Sequence, residues 1–268
     1  MNMIDIHAHI LPDIDDGSTD LSETIDILHE LDNQGVTDVI ATPHVMKDNF
    51  DNTRNTIIKR LKQVKYYLED SGIDINIHFG AELYLEPSIV EKTKEQKLTL
   101  ASSDYVLVES SFQRFPPNFE DILFHFQQEG YKPIIAHAER FRDFNSNFNY
   151  MVRILNRGFY VQMNCGSLFG DYGDLEQAFA MKMLDEGCVH LIASDLHGIE
   201  RRPIYLKKAY NFISKNYSRS LAELLLVENP KRILNNEPLE SMITETYWTE
   251  EKKSNFLDKI KNFISGIS

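Results

Sequence analysis

Met3-Ile4-Asp5-Ile6-His7-Ala8-His9 is the first β-rich run of the chain, and it ends in two histidines two positions apart. Successive strand side chains point to opposite faces, so His7 and His9 share a face with Asp5. Ile4, Ile6, Ala8 and Ile10 are expected on the other face, packing beneath helices. No glycine-rich phosphate fingerprint follows this strand, as a dinucleotide-binding sheet would require; His-Ala-His stands there instead. Two imidazoles side by side at a strand end form a metal-binding pair, the alternative being two core histidines with hydrogen-bond partners.

Outward from this run the chain alternates β-rich runs and helical patterns. Strands are expected over residues 3–9, 38–42, 75–82, 105–109, 133–137, 159–164 and 189–195, and helices over 21–33, 55–68, 118–128, 147–156 and 175–186. Gly35, Gly72, Gly130, Gly158 and Gly187 each suit the position just past a helix end. Strand and helix repeated about seven times imply a parallel sheet with right-handed crossovers, and the missing fingerprint favours a closed β/α barrel over an open sheet. After about Pro203 the pattern is helical, over 204–215, 221–227 and 250–267; Phe256, Leu257, Ile260, Phe263, Ile264 and Ile267 of the last share one face, expected to cap the barrel. One domain is expected over residues 1–268, the barrel ending near 203.

Composition narrows the function. The chain has 268 residues, 42% of them hydrophobic, enough for one sizeable core. Forty-one acidic residues against 28 Lys and Arg give a net charge of −13, which opposes a grip on nucleic-acid phosphates. The N-terminus carries no basic stretch followed by an apolar one, and no apolar run is of bilayer-spanning length, so stable membrane insertion is not expected. Cys165 and Cys188 cannot build a disulfide framework, and a cytoplasmic protein is the simplest reading. Neither cysteine is followed by the Arg six positions later that a cysteine-based tyrosine phosphatase needs.

The chemistry stands at the strand ends. The second ends in Ala41-Thr42-Pro43-His44, the third in Gly80-Ala81-Glu82 and the fourth in Glu109; the fifth delivers His137, with Glu139 and Arg140 beyond, and the seventh Asp195 and His197. Asp13, Asp15 and Asp16 follow the first strand. In a β/α barrel these ends converge on one mouth, where so much negative charge calls for cations. Nitrogen and oxygen donors without a thiolate suit Mn²⁺, Zn²⁺ or Fe, and two or three ions sharing carboxylates are a recurrent phosphoester-cleaving device.

Asp5-Ile-His7-Ala-His9, Asp15-Asp16-Gly17, Ala41-Thr-Pro-His44, Gly80-Ala-Glu82, His137-Ala-Glu-Arg140 and Ser194-Asp195-Leu-His197 together resemble the PHP (polymerase and histidinol phosphatase) superfamily. Residues 10–17 are similar, more narrowly, to its capsule-operon tyrosine phosphatase branch (CpsB/YwqE-like). The resemblance implies a distorted, TIM-like (β/α)7 barrel with C-terminal helices and up to three ions, most often Mn²⁺. It implies one ion at His7, His9, Glu82 and Asp195, a second at Glu82, Glu109 and His137, and a third at Asp16, His44 and His197. Arg140 and Arg202 match phosphate-binding arginines, with Arg201 an alternative to the latter, and Asp16 is a candidate proton donor. The implied reaction is hydrolysis of phosphotyrosine by a metal-bridging hydroxide, on a tyrosine autokinase of capsule or exopolysaccharide synthesis. A small-molecule phosphatase such as histidinol phosphatase is the alternative. Phe112, Phe115 and Phe119 form either an aromatic wall for the substrate ring or a packed loop.

Overall fold

The computed structural model describes residues 2–242 apart from Asp70 and Glu200, so the expected terminal helix over 250–267 lies outside the described residues. Two parallel sheets carry the strands. One holds β1 (Met3–Ala8), β2 (Val36–Ala41) and β4 (Asn76–Phe79) in that order; the other runs β3 (His44–Val45), β5 (Glu82–Tyr84), β6 (Tyr105–Glu109), β7 (Lys132–Ile135), β8 (Tyr160–Asn164), β9 (Leu191–Ala193). β2 and β3 are two halves of one broken strand, as are β4 and β5. The expected single strand over 75–82 is therefore corrected to two. The breaks have local causes. Pro43 lacks the N–H that a continuous ladder needs. Gly80 lies where a Cβ would meet the Ile40 Cγ2 at 2.6 Å and the Ala41 carbonyl oxygen at 3.0 Å.

Counting each broken strand once leaves seven strand positions. The ring closes where the Asp195 N–H donates to the His7 carbonyl and the His9 N–H to the Leu196 carbonyl, both at 2.9 Å. The expected barrel is thus present, with helices α1 (Leu21–Gln34), α2 (Arg54–Leu68), α4 (Phe119–Gln128), α6 (Phe148–Asn156) and α7 (Asp174–Asp185) between strands. α1 starts at Asp20, whose carboxylate accepts the Glu23 N–H at 2.9 Å, and ends at Gly35, left-handed at φ 85°. Two further helices between the strands were not foreseen. α3 (Ile89–Gln96) buries only Ile89, Val90 and Thr93, and α5 (Arg142–Ser146) is a single turn or so.

The core is split in two. The larger cluster joins the outer strand faces to the helices. The smaller gathers Ile4, Ile6, Ile40, Tyr105, Leu107, Ile134, Ala136, Leu191 and Ala193, from five different strands, and is the barrel interior. Ile4 and Ile6 therefore face inward, not beneath helices as expected. The parity argument fails because the ladder between β1 and β2 shifts register between Asp5 and Ala8. After α8 (Leu206–Asn216), a run of α9 (Arg219–Glu223), a π-turn (Leu224–Glu228) and α10 (Asn229–Leu234) places Ile233 in the interior cluster and closes the floor. Tyr105 ties this floor down by donating to the Glu237 carbonyl at 2.7 Å.

Candidate active site

With the floor sealed, the polar strand ends collect at the opposite mouth. His7 and His9 bring their Nε2 atoms to 3.1 Å of each other. The Glu82 Oε2 lies 3.3 Å from both, and the Asp195 Oδ1 lies 3.4 and 3.6 Å away. These four residues are the first expected ligand set. Of the second set, the His137 Nε2 sits 2.9 Å from the Glu82 Oε1 and 3.9 Å from the Glu109 Oε2. Of the third, the Asp16 Oδ1 is 3.4 Å from the His44 Nε2 and 3.2 Å from the His197 Nε2. All nine expected positions meet at this mouth. The grouping differs in detail. His9 also stands with Asp16, His44 and His197, and the His44 Nδ1 turns to Glu82 and Glu109, 3.0 Å from an oxygen of each.

Unusual backbone aims two of these side chains. His137 (φ 35°) and Asp195 (φ 52°) are left-handed non-glycine residues just beyond β7 and β9, a strained conformation that persists only when its surroundings impose it. The Gln162 Oε1 accepts the His137 N–H at 3.0 Å, and the seam with His7 holds Asp195.

The His44 Nδ1 meets the Glu82 Oε2 and the Glu109 Oε1 only as charge contacts at 3.0 Å, without well-aligned hydrogen bonds, and the buried His137 Nδ1 has no hydrogen-bond partner. Poorly satisfied polar atoms at such depth are costly. Nitrogen and oxygen donors converging within 4.8 Å fit a divalent cation. Titration behaviour tells the same story. Burial alone would raise Glu82, but His7, His44 and His137 hold it well below the usual carboxylate range. Burial alone would lower His9, yet the Asp15 carboxylate beside it raises it to about 9. The carboxylates thus hold His7, His9 and His44 as cations where no metal takes that place, whereas burial and the neighbouring His9 push His197 down. Asp16 is likewise held low, against the pull of its partial burial, by His197 and His44.

Three supporting residues were missed in the sequence. Asp15 accepts from the His9 Nδ1 at 2.7 Å and from the His44 N–H at 3.1 Å, so the loop after β1 orients two imidazoles. On β8, Gln162 faces the His7 Nδ1 at 3.0 Å, and the Asn164 Nδ2 donates to the Asp195 Oδ2 at 2.6 Å. Their spacing was the available signal: two amides two apart at the end of the one strand credited with no ligand. Asp5, which shares the expected face of His7 and His9, acts on the site at one remove. It accepts from the Ser194 N–H at 3.0 Å and hydroxyl at 2.5 Å, clamping the residue before Asp195.

The arginines divide. The Arg202 Nη1 lies 2.6 Å from the Asp195 Oδ2 and the Arg140 Nη1 3.6 Å from the same oxygen, both facing the mouth. Arg201 instead donates to the carbonyls of Asp16 and Gly17, at 2.7 and 2.5 Å. The phenylalanines divide too. Phe115 stacks on Phe119 with ring centroids 3.8 Å apart and is buried against Phe141 and Phe144, a packed loop; Phe112 alone turns to the mouth, edge-on to His137 at 5.2 Å. Both cysteines are buried, and burial pushes their thiols up, Cys188 to about 12. Neither is a thiolate nucleophile.

The family model described as capsular polysaccharide synthesis, CpsB/CapC, matches residues 3–235. The chain belongs to the CpsB/CapC family. Among its relatives, the tyrosine-protein phosphatase CpsB of Streptococcus agalactiae serotype III is 32% identical over 240 residues, covering 87% of this chain and 99% of that protein. The tyrosine-protein phosphatase YwqE of Bacillus subtilis is 30% identical over 238 residues, covering 88% and 93%. A solved structure from work on YwqE of Bacillus subtilis and CpsB of Streptococcus pneumoniae, described as unique metal-dependent tyrosine phosphatases, superposes with a TM-score of 0.85 at 29% identity, covering 89% of this chain and 97% of that one. A phosphotriesterase homology protein from Escherichia coli shares the fold at a TM-score of 0.56 and 12% identity.

Proposed function

We propose that this CpsB/CapC-family protein is a metal-dependent protein-tyrosine phosphatase, a phosphoric monoester hydrolase. The observation that carries the reading is the convergence of five imidazoles and four carboxylates beside two arginines at one barrel mouth. His7, His9, Asp16, His44, Glu82, Glu109, His137, Asp195 and His197 are the proposed ligands of up to three ions, most simply Mn²⁺, with Zn²⁺ or Fe compatible with the same donors. Such ions, when bound, supply positive charge to phosphoryl oxygens and make water a better nucleophile. Arg140 and Arg202 donate to the phosphoryl oxygens as charge builds on them. The tyrosine phenolate, with a pKa near 10, departs without a strong general acid, which suits a mouth where Asp16 is held as a carboxylate.

The proposed substrate is a phosphotyrosine protein, specifically a bacterial tyrosine kinase of capsule or exopolysaccharide synthesis; the family description supports the link to capsule synthesis. No helix among the described residues is long and apolar enough to cross a membrane. We place the protein in the cytoplasm. The test is a panel of phosphotyrosine peptide, phosphoserine peptide and histidinol phosphate with Mn²⁺-loaded protein. Preference for the phosphotyrosine peptide is expected; preference for histidinol phosphate assigns the same site to small-molecule metabolism.

A further inference from the structure

Arg140 is held in an unusual way. Its guanidinium carbon lies 4.2 Å from the centroid of the Phe112 ring and 4.4 Å from that of Tyr172. All five guanidinium donors lie in the plane of the group. Rings lying against it restrict its motion without occupying a donor, and leave the N–H edge, which has only a loose 3.6 Å contact with the Asp195 Oδ2, to meet an anion. Tyr172 is itself fixed. It sits in a turn bracketed by Gly170 (φ 84°) and Gly173 (φ 113°), and its hydroxyl accepts from the Asn164 Nδ2 at 3.3 Å. The same Asn164 Nδ2 holds Asp195, and the Arg202 guanidinium lies 5.6 Å from the Tyr172 ring centroid. One tyrosine thus lies against Arg140, near Arg202, and in contact with the amide that orients Asp195.

We propose that Tyr172 and Phe112 are positioning residues that clamp Arg140 between their rings, so that Arg140 and Arg202 form a preorganised fork for the phosphoryl group. The inference rests on the reading of Arg140 as a phosphate-binding residue. An arginine free to rotate loses side-chain entropy each time it binds an anion; a clamped one has lost it on folding.

Calorimetric binding of inorganic phosphate to Mn²⁺-loaded protein tests this, with metal content and melting temperature measured for each variant. Arg140→Ala and Tyr172→Leu are each expected to weaken phosphate binding about tenfold at unchanged metal content. Phe112→Leu, which removes the other ring and leaves Asn164 untouched, is expected to do so severalfold. Tyr172→Phe keeps the ring and is expected to restore the affinity. In turnover of a phosphotyrosine peptide, Tyr172→Leu should raise KM more than it lowers kcat. If Arg140→Ala weakens phosphate binding but Tyr172→Leu and Phe112→Leu do not, the clamp is wrong and the phosphate-binding reading stands. If Arg140→Ala leaves phosphate binding intact, both fall. If Tyr172→Phe is as weak as Tyr172→Leu, or if Tyr172→Leu loses metal, the stacked ring is not the agent and the proposal is overturned.

Discussion

At the scale of single residues, Glu82 is the hinge of the site: fully buried, and within 3.3 Å of His7, His9, His44 and His137. Glu82→Gln keeps the shape and removes the charge. It should lower metal content, measured by elemental analysis, and reduce phosphotyrosine turnover about a hundredfold or more. His190 is set apart from this cluster and makes a different prediction. Its Nδ1 accepts the Val161 N–H at 3.3 Å and its ring meets Tyr160 edge-on, and burial pushes its pKa down to about 4. The unfolded chain takes up that proton near 6.5, so between these values the unfolded state binds more protons. The stability associated with neutral His190 is complete above about pH 6.5 and is lost as pH falls through 4, an effect of about 3 kcal/mol. An NMR titration of the His190 imidazole should find its midpoint near 4; a midpoint near 6.5 contradicts the assignment.

At the scale of elements, the loop from β1 to α1 is shaped by one glycine. A Cβ at Gly17 would meet the His9 carbonyl oxygen at 2.2 Å and the His9 Cβ at 2.4 Å, backbone and near-backbone atoms that cannot step aside. Gly17→Ala should therefore lift Asp15 and Asp16 off the imidazoles, cost on the order of 2–3 kcal/mol in chemical denaturation, and weaken metal binding. The seam between β1 and β9 depends similarly on Asp5. Asp5→Ala strands the Ser194 N–H, leaves the hydroxyl only the His7 carbonyl at 3.2 Å, and should cost about 2 kcal/mol in the same measurement. These elements also show where sequence reading succeeds. An acid or imidazole after an apolar run, as at Glu109, His137 and Asp195, survives translation into structure because a parallel barrel brings every such end to one mouth. The inward turn of Ile4 and Ile6 was not legible, since a register shift has no residue signature. Nor was the break at Gly80, which depends on Ile40 and Ala41 of the neighbouring strand. The positioning roles of Asp15, Gln162 and Asn164 were partly visible, in parity and loop spacing, yet their partners are set only by the closed ring.

At the scale of the whole molecule, a barrel sealed at one end by α10 presents its acidic mouth at the other, and there His7, His9 and His44 balance the carboxylates by taking up protons. Metal binding replaces those protons and should stabilise the native state. Removing ions with a chelator is expected to lower the melting temperature by about 5–10 °C, and Mn²⁺ to restore it. The most direct test of the central claim is hydrolysis of a phosphotyrosine peptide by chelator-stripped protein as Mn²⁺ is added back, alongside a His44→Ala control. The account predicts no turnover by the stripped protein, turnover that rises and saturates with Mn²⁺, and little or none in the control. Turnover by the stripped protein equal to that of the loaded one, or no turnover with Mn²⁺, Zn²⁺ or Fe, would contradict it.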